Sequence, residues 1–305
     1  LYRSAEPENV SIEITTYCNL TCKMCYKYAY KIGNKHMSLD VFKKINSDLP
    51  KDVKKISLSG LGEGLMNPNI VNYFHLCREK HPKAFLDFTT NGYLFSEKIM
   101  EDILCSPVDM VTFSLDTISL PIPQMGHKAD DKTVSNIKKF SLRIKECGSG
   151  IILRLQSVVF SKEQVEEILE FAGRIGVSIV NLIRMDTPSD PGYNRLPIER
   201  FRDIFKRSRQ WGKRKKISVV SSGYHSLPMR IASHFDKICL QYHNFLYFDV
   251  DGNTLPCCVL RNYSLGDIMN LSLKEIWSSI KASEFFKKQK ILCKGCDVWR
   301  HSYSH

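Results

Sequence analysis

No run of about 20 apolar residues occurs in this chain, which excludes the ordinary transmembrane helix. The opening residues, L-Y-R-S-A-E-P-E-N-V, lack the apolar core of a secretory signal peptide. Neither an internal repeat nor a low-complexity tract is present, so repeat arrays and disordered polar segments are not expected. Acidic residues are in deficit: 32 Asp and Glu face 44 Lys and Arg, a net charge of +12. Much of that excess lies between residues 195 and 216, which read as a solvated amphipathic helix followed by a basic loop. As a field, the same charge would steer an acidic partner or an anionic substrate. No recognisable RNA-binding module accompanies it, so nucleic acid is only a minor expectation. What the chain does have is cysteine, eleven in 305 residues. A short secreted chain would use them as a disulfide scaffold, but this one is too long and its cysteines too clustered. Clustered thiols in an α/β chain point instead to metal, and the protein is expected to be cytoplasmic and oxygen-sensitive.

Strand and helix signals alternate through the first 220 residues. β-Branched or alternating runs fall at residues 12–15, 55–59, 85–90, 108–115, 151–159 and 179–185. Helical spacing near 3.6 fills residues 39–49, with Ser38 as a cap, and residues 70–79, 131–147 and 161–175. Gly176 stops the last of these as a C-cap glycine. Six such units in order predict an α/β fold with a parallel sheet. Turn residues and lost periodicity at residues 221–229 predict a boundary, giving domains 1–225 and 226–305.

Cys18, Cys22 and Cys25 follow the first strand in the run C-N-L-T-C-K-M-C-Y, a C-x3-C-x2-C spacing. A [4Fe–4S] cluster normally takes four thiolates, so three from one short loop leave one iron open to another ligand. On the residues alone, a zinc knuckle or three packed thiols are the alternatives. Zinc sites favour C-x2-C pairs with a further Cys or His nearby, and no His lies between Cys18 and Cys25. The spacing and its strand context resemble the radical S-adenosylmethionine (SAM) superfamily, with Met24 standing where that family usually carries an aromatic.

Other strand ends carry matching motifs. Gly60, Gly62 and Glu63 in S-L-S-G-L-G-E-G resemble the superfamily's G-x-G-E-P-L turn, with Gly64 in place of the proline. The resemblance implies that their backbone and carboxylate hold the methionine amino group of SAM. Thr90 and Asn91 belong to a T-N-G turn, and Ser114 and Asp116 to an S-x-D pair expected near the cofactor's methionine or ribose. Arg154, Gln156, Asn181 and Arg184 alternate with apolar residues on the fifth and sixth strands, so they are expected to line a cavity. Arg154 is the candidate for the cofactor carboxylate and Arg184 for substrate or cofactor. The resemblance implies a partial (β/α)6 TIM-like barrel.

The tail offers a second thiol set. Cys239 and Cys257 bracket a hairpin with D-G at its turn, and Cys293 and Cys296 form a C-x2-C knuckle. Four thiols suit zinc, rubredoxin-like iron or a cluster equally well. The pattern D-G-x4-C-C, L-G-D-I, L-K-E-I-W and C-x-x-C resembles the SPASM/twitch domain, which implies a small hairpin-and-helix domain around an auxiliary [4Fe–4S] cluster. No cysteine follows Cys296, so one auxiliary cluster is expected, two clusters in all. Cys77, Cys105 and Cys147 are expected to pack, whereas Cys258 is a candidate hydrogen-atom donor. The resemblance implies a radical oxidoreductase, supplied by a flavodoxin- or ferredoxin-type reductant, that dehydrogenates a hydroxyl of a sugar-like, cyclitol-like or anionic metabolite. A peptide maturase is the alternative. The absence of room for a peptide-recognition domain before Ser11 speaks for the small molecule. A tRNA-modifying enzyme and an iron–sulfur carrier are lesser alternatives.

Overall fold

The computed structural model describes residues 4–120, 131–185, 195–221, 239, 242–293 and 296. The boundary expected at 221–229 lies, beyond Ser221, outside the described residues, as do the two residues inside the C-x2-C knuckle. β1 (Asn9–Ile12) leads toward the cysteine segment, and a four-residue α1 (Tyr26–Ala29) follows it. Next come α2 (Leu39–Asp48), β2 (Lys55–Ser57), α3 (Ile70–Lys80) and β3 (Phe85–Thr90). Then α4 (Glu97–Leu104), β4 (Met110–Ser114), α5 (Asp131–Glu146), β5 (Ile152–Val159) and α6 (Lys162–Ile175) alternate. After β6 (Ile179–Arg184), α7 (Ile198–Lys215) and β7 (Ser218–Val220) comes the tail, with β8 (Phe245–Phe248), β9 (Asn253–Leu255), β10 (Gly266–Asp267), α8 (Leu273–Ser278) and α9 (Ile280–Leu292).

The local signals act as read. Ser38 accepts the Val41 N–H at the start of α2. Ser161 and Gln164 form a reciprocal capping box on α6, and Gly176 ends that helix in the left-handed region at φ 74°. Gly252 closes the β8–β9 turn at φ 89°.

The chain forms two compact units. The first gathers Leu1–Asn19, Cys25–Phe88 and His225–His305, and the second Leu20–Met24 and Thr89–Tyr224. In the first, the strands run in the order β10-β9-β8-β1-β2-β3, and β1 lies parallel to both β2 and β8. β8, β9 and β10 pair antiparallel. In the second, β4-β5-β6-β7 are parallel throughout.

Three features differ from expectation for physical reasons. β1 starts at Asn9 rather than residue 12, because its ladder pairs Asn9–Ser11 with Lys55–Ser57 and Asn9–Ile12 with Phe245–Phe248. Residues 13–16 therefore lie past the ladder. β7 is three residues long, too short to show alternation, and is held by β6. The tail strand β8 joins the β1 sheet, a non-local pairing that no local pattern announces. Each unit has its own core: Phe42 stacks on Tyr73 at 3.9 Å in the first, and Phe95, Phe113 and Phe140 meet at 4.8–5.9 Å in the second.

Candidate active site

The cysteine segment is anchored at its base. The Thr16 N–H donates to the Lys35 carbonyl at 2.8 Å, and the Thr16 hydroxyl donates to the Gly33 carbonyl at 2.7 Å. The Thr15 hydroxyl accepts the Tyr17 N–H, and the Tyr17 ring stacks on His36 at 4.5 Å. Cys18 and Cys25 belong to the first unit, while Cys22 falls in the five-residue piece grouped with the second. All three are partly exposed, and no cysteine of the chain is in a disulfide. Burial pushes the Cys25 thiol upward, the Lys27 N–H bonded to it opposes that, and Glu13 lies close enough to raise it further.

The G-x-G-E turn packs directly on the end of β1. A side chain at Gly60 would stand 2.4 Å from Glu13 Cγ, and one at Gly62 would stand 2.3 Å from the Thr15 carbonyl oxygen. Both positions therefore require glycine. The Glu63 N–H donates to the Tyr17 carbonyl at 2.7 Å, and its buried carboxylate accepts the Leu65 N–H at 3.2 Å.

Glu13, absent from the sequence candidates, is fully buried. Its carboxylate accepts the Leu61 N–H at 2.7 Å, the Tyr247 hydroxyl at 2.8 Å and the Arg261 guanidinium at 2.7 Å. Arg261 also lies over the Tyr247 ring, 5.4 Å from its centroid. The one available signal was an acidic residue in an otherwise β-branched run, but its partners are 234 and 248 residues away.

In the second unit, Thr90 and Asn91 accept the N–H groups of Gly92 and Tyr93 and so build the T-N-G turn, with Gly92 at φ 77° against Phe113. Ser114, Gln156 and Asn181 fall in one cross-strand row, and the Asn181 amide donates to Gln156 at 3.0 Å. Arg154 donates to the Thr112 hydroxyl at 2.9 Å, and Arg184 to the Leu196 carbonyl at 2.7 Å. Asp116 is buried beyond the end of β4 and accepts the Val158 N–H at 2.6 Å. Burial raises its carboxyl to about 6.

The tail thiols belong to the first unit. The Cys257 thiol is pushed well up by burial and by the neighbouring Cys258 and Cys239 thiols. The Leu260 and Val259 N–H groups bond to it and oppose that shift. On α9, Gln289 accepts the Cys239 N–H on its side-chain oxygen at 2.7 Å, and its backbone carbonyl accepts the Cys293 N–H at 2.8 Å. Cys296 turns back to bond the Cys293 carbonyl at 3.0 Å. Cys77, by contrast, is a packed thiol, raised to about 12 by burial, whereas Cys105 and Cys147, also expected to pack, are exposed.

The family model of the Radical SAM superfamily matches residues 12–175, just over half the chain. The chain belongs to the radical SAM superfamily. A second model, the SPASM iron–sulfur cluster-binding domain, matches residues 239–297. Among curated proteins, the chain is 27% identical to a tungsten-containing aldehyde ferredoxin oxidoreductase cofactor-modifying protein of Pyrococcus furiosus, covering 90% of this chain and 82% of that one. It is 26% identical to a probable GTP 3′,8-cyclase of Pyrococcus horikoshii, over 93% of each. Among solved structures, Streptococcus suis SuiB bound to its precursor peptide SuiA superposes with a TM-score of 0.76 at 18% identity, over 97% of this chain and 71% of that one. The anSMEcpe enzyme with bound AdoMet and a peptide gives 0.69 at 17% identity, over 97% and 88%. The α/β fold with its parallel core and antiparallel tail strands is thus that of a radical SAM enzyme, with SAM and two [4Fe–4S] clusters as its cofactors.

The residues present fit those groups. Among the described residues, no three Cys, His, Asp or Glu side chains converge closely enough to hold a single metal ion. The Cys257 thiol lies near the Cys258 and Cys239 thiols, with the Leu260 and Val259 N–H groups bonded to it. Among the described residues, the buried Gln289 amide nitrogen has no hydrogen-bond partner. A thiol with N–H donors already bonded to it, and a buried amide donor beside two of the tail cysteines, suit a sulfur-rich anionic cluster.

Proposed function

We propose that this enzyme is an oxidoreductase that removes two hydrogens from a hydroxyl-bearing, anionic small metabolite. What supports the reading is the tail set Cys239, Cys257, Cys293 and Cys296, four thiols that belong to one compact unit. Four close a [4Fe–4S] cluster with no open iron, which suits electron transfer rather than substrate binding. When bound, SAM and the first cluster supply a 5′-deoxyadenosyl radical, and the auxiliary cluster supplies a one-electron acceptor. Loss of a hydrogen atom from the carbinol carbon, then of the hydroxyl proton and one electron, leaves a ketone.

In this reading Cys18, Cys22 and Cys25 hold the first cluster, and Gly60, Gly62 and Glu63 hold the methionine end of SAM. Thr90 and Asn91 of the T-N-G turn also serve the cofactor, while Ser114 and Asp116 serve its methionine or ribose. Arg154 takes the cofactor carboxylate and Arg184 the substrate's anionic group. An anionic substrate is supported by the two arginines and by similarity to a probable GTP cyclase and a cofactor-modifying protein. The likeness to peptide-bound SuiB and anSMEcpe is one of fold, and peptide modification stands as the competing reading.

We divide the chain near residue 225 into catalytic and auxiliary-cluster parts. The electron donor is an acidic carrier of the flavodoxin or ferredoxin type, in the cytoplasm. No described helix is long and apolar enough to cross a membrane.

The test is an anaerobic assay of the reconstituted protein with dithionite, GTP, a sugar phosphate and a linear peptide. About eight irons per chain, release of 5′-deoxyadenosine, and a GTP or sugar-phosphate product lighter by two hydrogens are expected. No 5′-deoxyadenosine from fully loaded protein would sink the reading. A product carrying solvent hydrogen and no net loss of hydrogen would replace oxidation with a redox-neutral step, for which Cys258 is the candidate donor.

A further inference from the structure

Gln289 occupies an unusual place. It is fully buried on the last turns of α9 and touches two cysteines of the tail set, one through its side-chain oxygen and one through its backbone carbonyl. The bond from the Cys239 N–H fixes which end of the amide is oxygen, so the –NH2 end must face away from that N–H. Among the described residues, that nitrogen has no hydrogen-bond partner. A buried amide donor left unsatisfied costs about 1–3 kcal/mol, which a chain of ordinary core residues would avoid. Leucine or methionine here would remove that amide but leave the Cys239 N–H without its acceptor. The oxygen end of the side chain is thus accounted for by Cys239, and the nitrogen end is left to bond something else.

We infer that the Gln289 amide donates a hydrogen bond to a sulfur of the auxiliary cluster and raises that cluster's reduction potential. This rests on the proposal that Cys239, Cys257, Cys293 and Cys296 hold a [4Fe–4S] cluster. A reduced cluster is one unit more negative than the oxidised form, so a donor aimed at its sulfur stabilises the reduced form more. A higher potential makes the cluster a better acceptor for the substrate's electron. Gln289 is in this sense a tuning residue, and the Val259 and Leu260 N–H groups at Cys257 supply the same kind of bond from the backbone.

The test is an anaerobic redox titration followed by EPR on the reconstituted wild type and Gln289→Met. Added SAM perturbs the signal of the first cluster and so tells the two apart. Gln289→Met is expected to keep its iron and to lower the auxiliary midpoint. At a given potential, its ratio of reduced to oxidised auxiliary cluster should fall about tenfold, about 59 mV for one electron. The first cluster's midpoint should not move. A second measurement needs no variant: wild type labelled with 15N-glutamine should show amide nitrogen coupling to the reduced auxiliary cluster in pulsed EPR, even if Gln289→Met fails to load. An unmoved midpoint in fully loaded Gln289→Met, or no 15N coupling in the wild type, overturns the inference. Wild type binding only about four irons would overturn the cluster reading itself, and this inference with it.

Discussion

Two side chains concentrate the electrostatics of this protein. Arg261 and Glu13 form an ion pair whose side chains are 6% and 0% exposed. Removing one partner of such a pair leaves an uncompensated buried charge, at a cost of about 3–5 kcal/mol. Arg261→Met should lose that much stability in anaerobic denaturant unfolding, and Glu13→Gln/Arg261→Met should recover a large part of it. A single variant within about 1 kcal/mol of wild type would show that the pair is not held as described. Asp116 predicts a pH dependence. Its carboxyl is raised to about 6 by burial, from an unfolded value near 4, so the native state binds the extra proton. Its contribution is fully present below about pH 4 and is lost as pH rises through 6. Between pH 5 and pH 8 the wild type should lose about 1 kcal/mol that Asp116→Asn keeps. Parallel unfolding curves for the two proteins across that range would refute it.

At the scale of elements, the cysteine segment is placed by what surrounds it rather than by its own conformation. The last ladder bond is made by the Glu13 N–H to Phe248, the Thr15–Tyr17 stretch is tied to residues 33–36, and the G-x-G-E turn donates back to Tyr17. The glycines at 60 and 62 are needed because those contacts bring a carboxylate and a carbonyl oxygen into the space of a side chain. Helix α7 does something different. It carries eight basic and two acidic residues, all ten exposed, while Phe201, Ile204 and Phe205 face inward. That net +6 is half of the chain's +12. An acidic electron carrier would be drawn to it, so Lys206→Glu/Lys213→Glu should slow 5′-deoxyadenosine formation several-fold with reduced flavodoxin and leave the dithionite rate unchanged. The flavodoxin rate of the wild type should also fall with rising salt. Equal loss with both reductants would remove α7 from the reductant's path.

At the scale of the molecule, the sequence and the fold decided different things. Most helices and strands were legible to within a few residues, because caps such as Ser38 and Ser161, stops such as Gly176 and alternating β-branched runs act within one or two turns. The thiols were legible too, since C-x3-C-x2-C and C-x2-C are spacings in the chain itself. So was the superfamily, whose motifs sit one at each successive strand end and whose model then matches residues 12–175. The early start of β1, the three-residue β7 and the seating of β8 against β1 were not legible, because each depends on a partner strand far along the chain. Glu13 shows the limit best. Alone it is one acid in a strand-like run, and only folding brings it Leu61, Tyr247 and Arg261. Gln289 is the same case in α9, an ordinary polar residue until Cys239 lies across its side chain. The sequence by itself determined the donor atoms and the chemistry they support, because ligand identity is a property of residues. The tertiary structure alone decided what surrounds those donors, because burial, charge pairing and unsatisfied hydrogen bonds are created only when distant segments meet.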